Sequence, residues 1–219
     1  MQISQETLAV LKNFAQINTN ILVREGSELR TISTMKDIFV TAQVKEEFPQ
    51  EFAIYDLTSL LALLSLSENQ EVEFGEKSLK IVKDAGEFEY FYADPSIIIA
   101  PPNKNIVVDE YFKFAVTKEE LVTVQKAAAI VSAPMISFIA KKGKVTLSVG
   151  DPKTPASNSY KKIVGEHEGD DFDIKLAVGN LKVIADAYEV VLSKKKFIHF
   201  RNEERGLKYW LAADPASVV

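Results

Sequence analysis

The chain of 219 residues has no cysteine, which excludes disulfides and thiolate-held zinc and suits a reducing compartment. Histidine is nearly absent, with only His167 and His199. No glycine-rich phosphate-binding motif with a following lysine occurs, so any ATP chemistry belongs to a partner. The longest apolar run, around Leu60 to Leu64, is too short to cross a bilayer. The opening Met1-Gln2-Ile3-Ser4-Gln5-Glu6 lacks a basic segment followed by an apolar one, and the expectation is a protein that is not secreted. An excess of positive charge is missing too. The net charge is −5, which by itself argues against a nucleic-acid binder. What the chain does have is apolar content, 47%, enough for real cores and one large or two ordinary domains.

The charge is unevenly spread. Residues 1–108 carry 9 Lys and Arg against 16 Asp and Glu, net −7, and residues 109–219 carry 17 against 15, net +2. Between the halves lies Tyr90-Phe91-Tyr92-Ala93-Asp94-Pro95, then Ile97-Ile98-Ile99, then Pro101-Pro102. Both proline sites oppose helix and interior strand, so this stretch reads as a domain end and a tether. The apolar run Ile97 to Ile99 either completes the first sheet or borders a partner pocket. A similar ending recurs as Tyr209-Trp210-Leu211-Ala212-Ala213-Asp214-Pro215. Ser4 caps a predicted helix over 4–17, with Leu8, Leu11, Phe14 and Ala15 on one face. Residues 20–25 and 28–33 read as a hairpin around Gly26, followed by strands at 38–44 and 52–55. Asp56 caps a helix over 57–66, and strands follow at 71–74, 78–83 and 87–92. After the tether the order repeats: strand 112–116, a capping box Thr117-Lys118-Glu119-Glu120, and a helix to about Val131. Strands 136–140 and 144–149 turn at Gly143, and strands 159–164 and 172–176 follow. A helix is predicted near 179–187, then strands 189–193, 196–201 and 206–211. Leu8 and Leu121, Phe52 and Phe172, and Pro95 and Pro215 match at offsets drifting from 113 to 120, as a duplicated domain requires. The expected class is α+β: two similar domains, 1–96 and 111–219, joined by a connector at 97–110, each with two helices on largely antiparallel sheet.

The outward faces of the predicted helices are polar and lightly charged: Gln5, Lys12, Asn13 and Gln16 in the first, Lys118, Gln125 and Lys126 in the second, Asn180 and Lys182 in the last. Taken alone, such faces read as solvated surface. Lysines there can also neutralise phosphates without reading bases. An enzyme is the rival class. Glu166-His167-Glu168 with Asp170, Asp171 and Asp173 resembles a metal-ligand cluster, but adjacent flexible carboxylates read better as a solvated acidic loop. His199 lies within a predicted strand and reads as structural. Lys194-Lys195-Lys196 reads as a hairpin turn on the outer surface. No catalytic residue, metal or cofactor is expected.

The ordered set Leu11 to Asn18, Ala53-Ile54-Tyr55-Asp56-Leu57, Leu63-Leu64-Ser65-Leu66, Ala93-Asp94-Pro95-Ser96, Ala100-Pro101-Pro102-Asn103-Lys104, Asn180-Leu181-Lys182 and Tyr188 resembles the DNA sliding clamps (polymerase processivity factors) of T-even-type tailed bacteriophages. Leu207 to Ala212 also resembles the last strand of eukaryotic sliding clamps. The resemblance is dense over residues 8–104 and thin over 150–171. It implies a DNA clamp fold, a homotrimeric ring with twelve helices around a hole, and Gln5, Lys12, Asn13, Gln16, Lys118, Gln125, Lys126, Asn180 and Lys182 facing duplex DNA without sequence preference. It also implies a DNA polymerase and an ATP-dependent clamp loader as partners, a part in late transcription, and the host-cell cytoplasm as location. A partner-peptide pocket is expected at Pro101, Ile106, Val107, Trp210 and Ala212. The chain departs from the family at Ser217-Val218-Val219. A homo-oligomeric ring or docking scaffold without DNA is the alternative. Unlike charges on the two halves suit a head-to-tail ring.

Overall fold

A computed structural model describes the chain apart from residues 67–70, 84, 85, 104, 105 and 155. Positions 104 and 105 of the expected connector, and position 155 between the expected strands 144–149 and 159–164, thus lie outside the described residues. The chain divides into two compact units, Met1–Asn103 with Glu204–Leu207, and Lys104–Glu203 with Lys208–Val219.

In the first unit, α1 (Gln5–Ile17) begins where the Ser4 hydroxyl accepts from the Thr7 amide at 3.2 Å. It buries Leu8, Val10, Leu11, Phe14 and Ile17, a stripe at helical spacing. Strands β1 (Ile21–Val23), β2 (Gly26–Ile32), β3 (Ile38–Phe48) and β4 (Phe52–Ile54) follow, and the Asp56 carboxylate caps α2 (Leu57–Leu64) at 3.1 Å from the Ser59 amide. Strands β5 (Glu71–Phe74), β6 (Ser78–Lys83) and β7 (Gly86–Phe91) form an antiparallel sheet in that order. Phe48, Phe52, Phe74 and Tyr92 interlock at ring separations of 5.1–6.1 Å. Between the helices and β5–β6 remains an apolar cavity of about 30 Å³, bordered by Leu11, Leu57, Leu60, Val72 and Leu79 among others.

The expected hairpin around Gly26 does not form. β1 pairs with β4, Ile21 opposite Ile54 and Val23 opposite Phe52, and Gly26 opens β2 with φ of +105°. Alternation of apolar residues marks a strand but not its partner, and the burial of Ile21 and Val23 against β4 decides the pairing. A true two-residue turn occurs at Lys142-Gly143, where both φ angles are positive (52° and 77°).

In the second unit, β8 (Phe112–Val116) leads into α3 (Lys118–Ile130), whose capping box is complete: Thr117 caps the Glu120 amide and Glu120 accepts from the Thr117 amide at 3.0 Å. α3 buries Leu121, Val124 and Ala128 and lies against β10 (Lys144–Gly150) and β11 (Tyr160–Glu166). With β9 (Met135–Lys141) and β12 (Phe172–Ala177) these strands make a four-stranded sheet in the order β11-β10-β9-β12. Residues near the C-terminus lie along β12, with Asp173 and Val218 exchanging backbone hydrogen bonds of 2.9 Å. Strands β13 (Tyr188–Leu192), β14 (Phe197–Asn202) and β15 (Leu207–Ala212) continue from β8 in the order β15-β14-β13-β8.

The helix expected near 179–187 is absent. Val178–Asn180 form one 3-10 turn, and 181–184 are irregular. Side chains from elsewhere satisfy this backbone: Gln125 donates to the Val183 carbonyl at 3.0 Å, the Ile184 amide donates to the Tyr209 hydroxyl at 3.2 Å, and the Tyr188 hydroxyl donates to the Ile184 carbonyl at 2.8 Å. With such partners the peptide groups need no helical ladder. The described residues thus hold three α-helices, two in the first unit and one in the second, where four were expected.

Candidate nucleic-acid interface

On α1 the exposed side chains are Gln5, Glu6, Ala9, Lys12 and Gln16. Asn13, expected on this polar face, is buried at 8% exposure, so it belongs to the packed side of the helix. Position 13 lies one helical turn from the buried Val10 and Ile17, and that neighbourhood outweighs its polarity. Glu6 pairs with Lys45 of β3 at 2.8 Å, and the Lys45 hydrogen bond and charge hold its carboxyl below the ordinary value.

The start of α1 is tied down by a residue that sequence reasoning missed. Glu46 of β3, also only 8% exposed, accepts from the Ser4 amide and from the buried Thr7 hydroxyl. Burial pushes the Glu46 carboxyl up, but the Thr7 and Ser4 hydrogen bonds together outweigh it and the net displacement is downward. The contact joins residues 42 and 39 apart in the chain, so no local pattern betrays it.

On α3 the exposed side chains include Lys118, Glu119, Thr123 and Lys126. Glu120 is engaged by Lys162 of β11 and by the Thr117 amide, which hold its carboxyl below the ordinary range. The first-turn carboxylates Glu6 and Glu120 are thus matched by lysines of neighbouring strands, while Lys12 and Lys126 lie further along their helices. Gln125 is half-buried, its amide spent on the Val183 carbonyl, which ties the residue after Lys182 to α3. Asn180 and Lys182 sit on the 3-10 turn and the irregular segment after it, both half-buried.

The connector residues separate by environment. Pro95–Ile97 form a 3-10 turn, Ile98 is buried in the first unit, and Ile97 and Ile99 are exposed. The run forms no strand of the first sheet. Asn18 donates to the Ile99 carbonyl and Asn20 accepts from its amide, both at 3.3 Å. Pro101 is buried, and the Pro101 and Pro102 carbonyls accept from Arg24 and Arg30 at 3.2 and 3.3 Å. Ile106 and Val107 are exposed, Val107 at 79%. Trp210 and Ala212 share one face of β15, opposite the buried Leu207, Tyr209 and Leu211. Trp210 stacks on His199 at 4.5 Å between ring centroids. Burial pushes the His199 imidazole below its ordinary value, and its Nδ1 lies 2.9 Å from the Tyr209 carbonyl. The acidic loop turns His167 inward, onto Tyr111, Phe112 and Phe172 at 5.3–5.9 Å.

Two strands end their sheets with unusually open surfaces. β7 carries Glu87 and Glu89 with Phe88 at 48% and Phe91 at 67% exposure. β11 carries Lys161 and Lys162 with Ile163 at 57%.

Residues 4–100 match the model of the family described as DNA polymerase processivity factor. The sliding clamp of Vibrio phage KVP40 is 28% identical over 221 residues, spanning 98% of this chain and 99% of its own. That of Enterobacteria phage T4 is 28% identical over 227 residues, spanning 98% of each. The proliferating cellular nuclear antigen of Entamoeba histolytica superposes with a TM-score of 0.69 over 94% of both chains, and at 14% identity this likeness speaks for the fold alone. The two-unit α+β architecture is the DNA clamp fold, and over nearly its whole length the chain is similar to phage sliding clamps, with residues 4–100 matching the DNA polymerase processivity factor model.

Proposed function

We propose that this chain assembles as a homotrimeric ring around duplex DNA and tethers a replicative DNA polymerase, so that processivity comes from topology and not from tight binding. The observation that carries this reading is the full-length match to phage clamps in a chain whose α1 and α3 expose Lys12, Lys118 and Lys126. Lysines neutralise phosphates without reading bases, and a few such contacts permit sliding. The edges of β7 and β11 support closure between copies. One is acidic and the other basic, both expose apolar side chains, and unpaired sheet edges join by strand addition. A heterologous contact of this kind closes into a ring when its rotation permits. In this reading the protein has no catalytic residue and works in the host-cell cytoplasm. An ATP-driven loader opens the ring, the polymerase docks its peptide on the second unit at Ile106, Val107, Trp210 and Ala212, and late-transcription factors share that platform.

The test is retention on DNA. The protein is loaded on nicked circular DNA with its loader and ATP, and the circle is then linearised. A clamp stays on the circle and is lost through free ends. Equal retention on both forms, or none on either, refutes the ring-on-DNA reading in favour of a scaffold without DNA.

A further inference from the structure

The second unit replaces the expected helix by an irregular segment that carries Lys182. Irregular backbone costs conformational entropy to hold and loses its own hydrogen-bond ladder. Here three side chains from three different elements supply what the ladder lacks. Gln125 of α3 reaches the Val183 carbonyl, Tyr209 of β15 accepts from the Ile184 amide, and Tyr188 of β13 donates to the Ile184 carbonyl. Tyr209, Tyr188 and Val183 are buried, so each of these bonds has one partner in the packed interior. The Leu181 amide closes the preceding turn on the Val178 carbonyl at 3.0 Å. Lys182 therefore lies between a closed turn and a clasped dipeptide, one residue from the carbonyl that Gln125 holds. Gln125 is itself the chain neighbour of Lys126.

We propose that Gln125, with Tyr209 and Tyr188, is a positioning residue: it fixes segment 181–184 so that Lys182 and Lys126 present adjacent charges to one stretch of phosphate backbone. The proposal rests on the reading that this surface faces DNA. Gln125 thus changes role, from a direct DNA contact to the part that holds another contact in place. Two lysines held in register lose less freedom on meeting phosphate than one held and one loose, and both then displace counterions.

The experiment compares the full chain with Gln125→Met, Tyr209→Phe, Lys182→Ala, Lys126→Ala and the double variant Gln125→Met/Lys182→Ala. Association with a short blunt duplex is followed by fluorescence anisotropy through a salt titration, and amide exchange is followed by mass spectrometry. Lys182→Ala should lower the slope of log K against log salt by about one, the loss of one phosphate contact. Gln125→Met should lower it by a similar amount, the double variant should fall no further than Lys182→Ala, and exchange at 182–184 should quicken in Gln125→Met and Tyr209→Phe with the rest of the unit unchanged. A wild-type slope in Gln125→Met, or full additivity in the double variant, overturns the proposal. If Lys126→Ala lowers the slope and Lys182→Ala does not, the proposal fails while the clamp reading stands. If neither lowers it, the DNA-facing assignment of this surface fails and takes the proposal with it.

Discussion

Replacing Glu46 by alanine tests how the first helix is anchored. In the folded chain this carboxylate accepts from the Ser4 amide and the Thr7 hydroxyl, and Thr7 is 1% exposed. Alanine deprives both donors of their acceptor. The half-buried Ser4 amide recovers water, and the Thr7 hydroxyl can turn to the Ser4 hydroxyl 3.1 Å away, so neither suffers the full desolvation penalty. A buried donor left without a partner costs about 1–3 kcal/mol, and with partial recovery at both sites we expect a loss of about 2 kcal/mol. Urea unfolding near neutrality should show a lower midpoint with an unchanged slope, and exchange at the Thr7 and Leu8 amides should quicken. The pH dependence follows from the direction of the shift. The folded carboxyl lies below its unfolded value, so its stabilisation is present above the unfolded pKa of about 4.3 and disappears as pH falls through the folded value. The gap between wild type and variant should therefore narrow in acid. A neutral-pH loss under about 0.5 kcal/mol, or a gap that stays constant to about pH 3, refutes the reasoning.

Val72→Ile adds one methylene beside the apolar cavity of about 30 Å³ and should raise stability by about 0.7 kcal/mol in urea titration; a loss would mean the wall cannot receive it. Lys12→Glu combined with Lys126→Glu should abolish retention on circular DNA while light scattering still reports the wild-type assembly; a fall to monomer would make these lysines structural. Phe88→Asp or Ile163→Asp should each shift the assembly toward monomer in light scattering, since both place an uncompensated charge on an exposed sheet edge. Trp210→Ala should weaken polymerase binding at least tenfold in a titration while the chain still unfolds cooperatively, because the ring is only partly buried where it stacks on His199.

The local signals in the chain located nearly all elements. Ser4, Asp56 and the Thr117–Glu120 box marked three helix starts because capping is a contact over three residues, visible in sequence. The strands of both units lie within two or three residues of where alternation put them, apart from β3, which runs on to Phe48. The resemblance to phage sliding clamps was legible because many short matches fall in order along the chain. The exposed lysines of α1 and α3 were legible from helical spacing, whereas Asn13 was misplaced because polarity hid its buried position.

The amino-acid sequence alone determined the α+β class, the helix starts and the likeness to sliding clamps, since these rest on contacts within a turn or on residue order. Tertiary structure decided the partner of β1, the absence of the α-helix expected near 179–187, the inward turn of Asn13 and the clasping roles of Glu46 and Gln125. Each depends on groups that meet only after folding, such as Gln125 and Val183, 58 residues apart. A buried peptide group takes whichever partner the assembled core offers, and local periodicity carries no record of that choice.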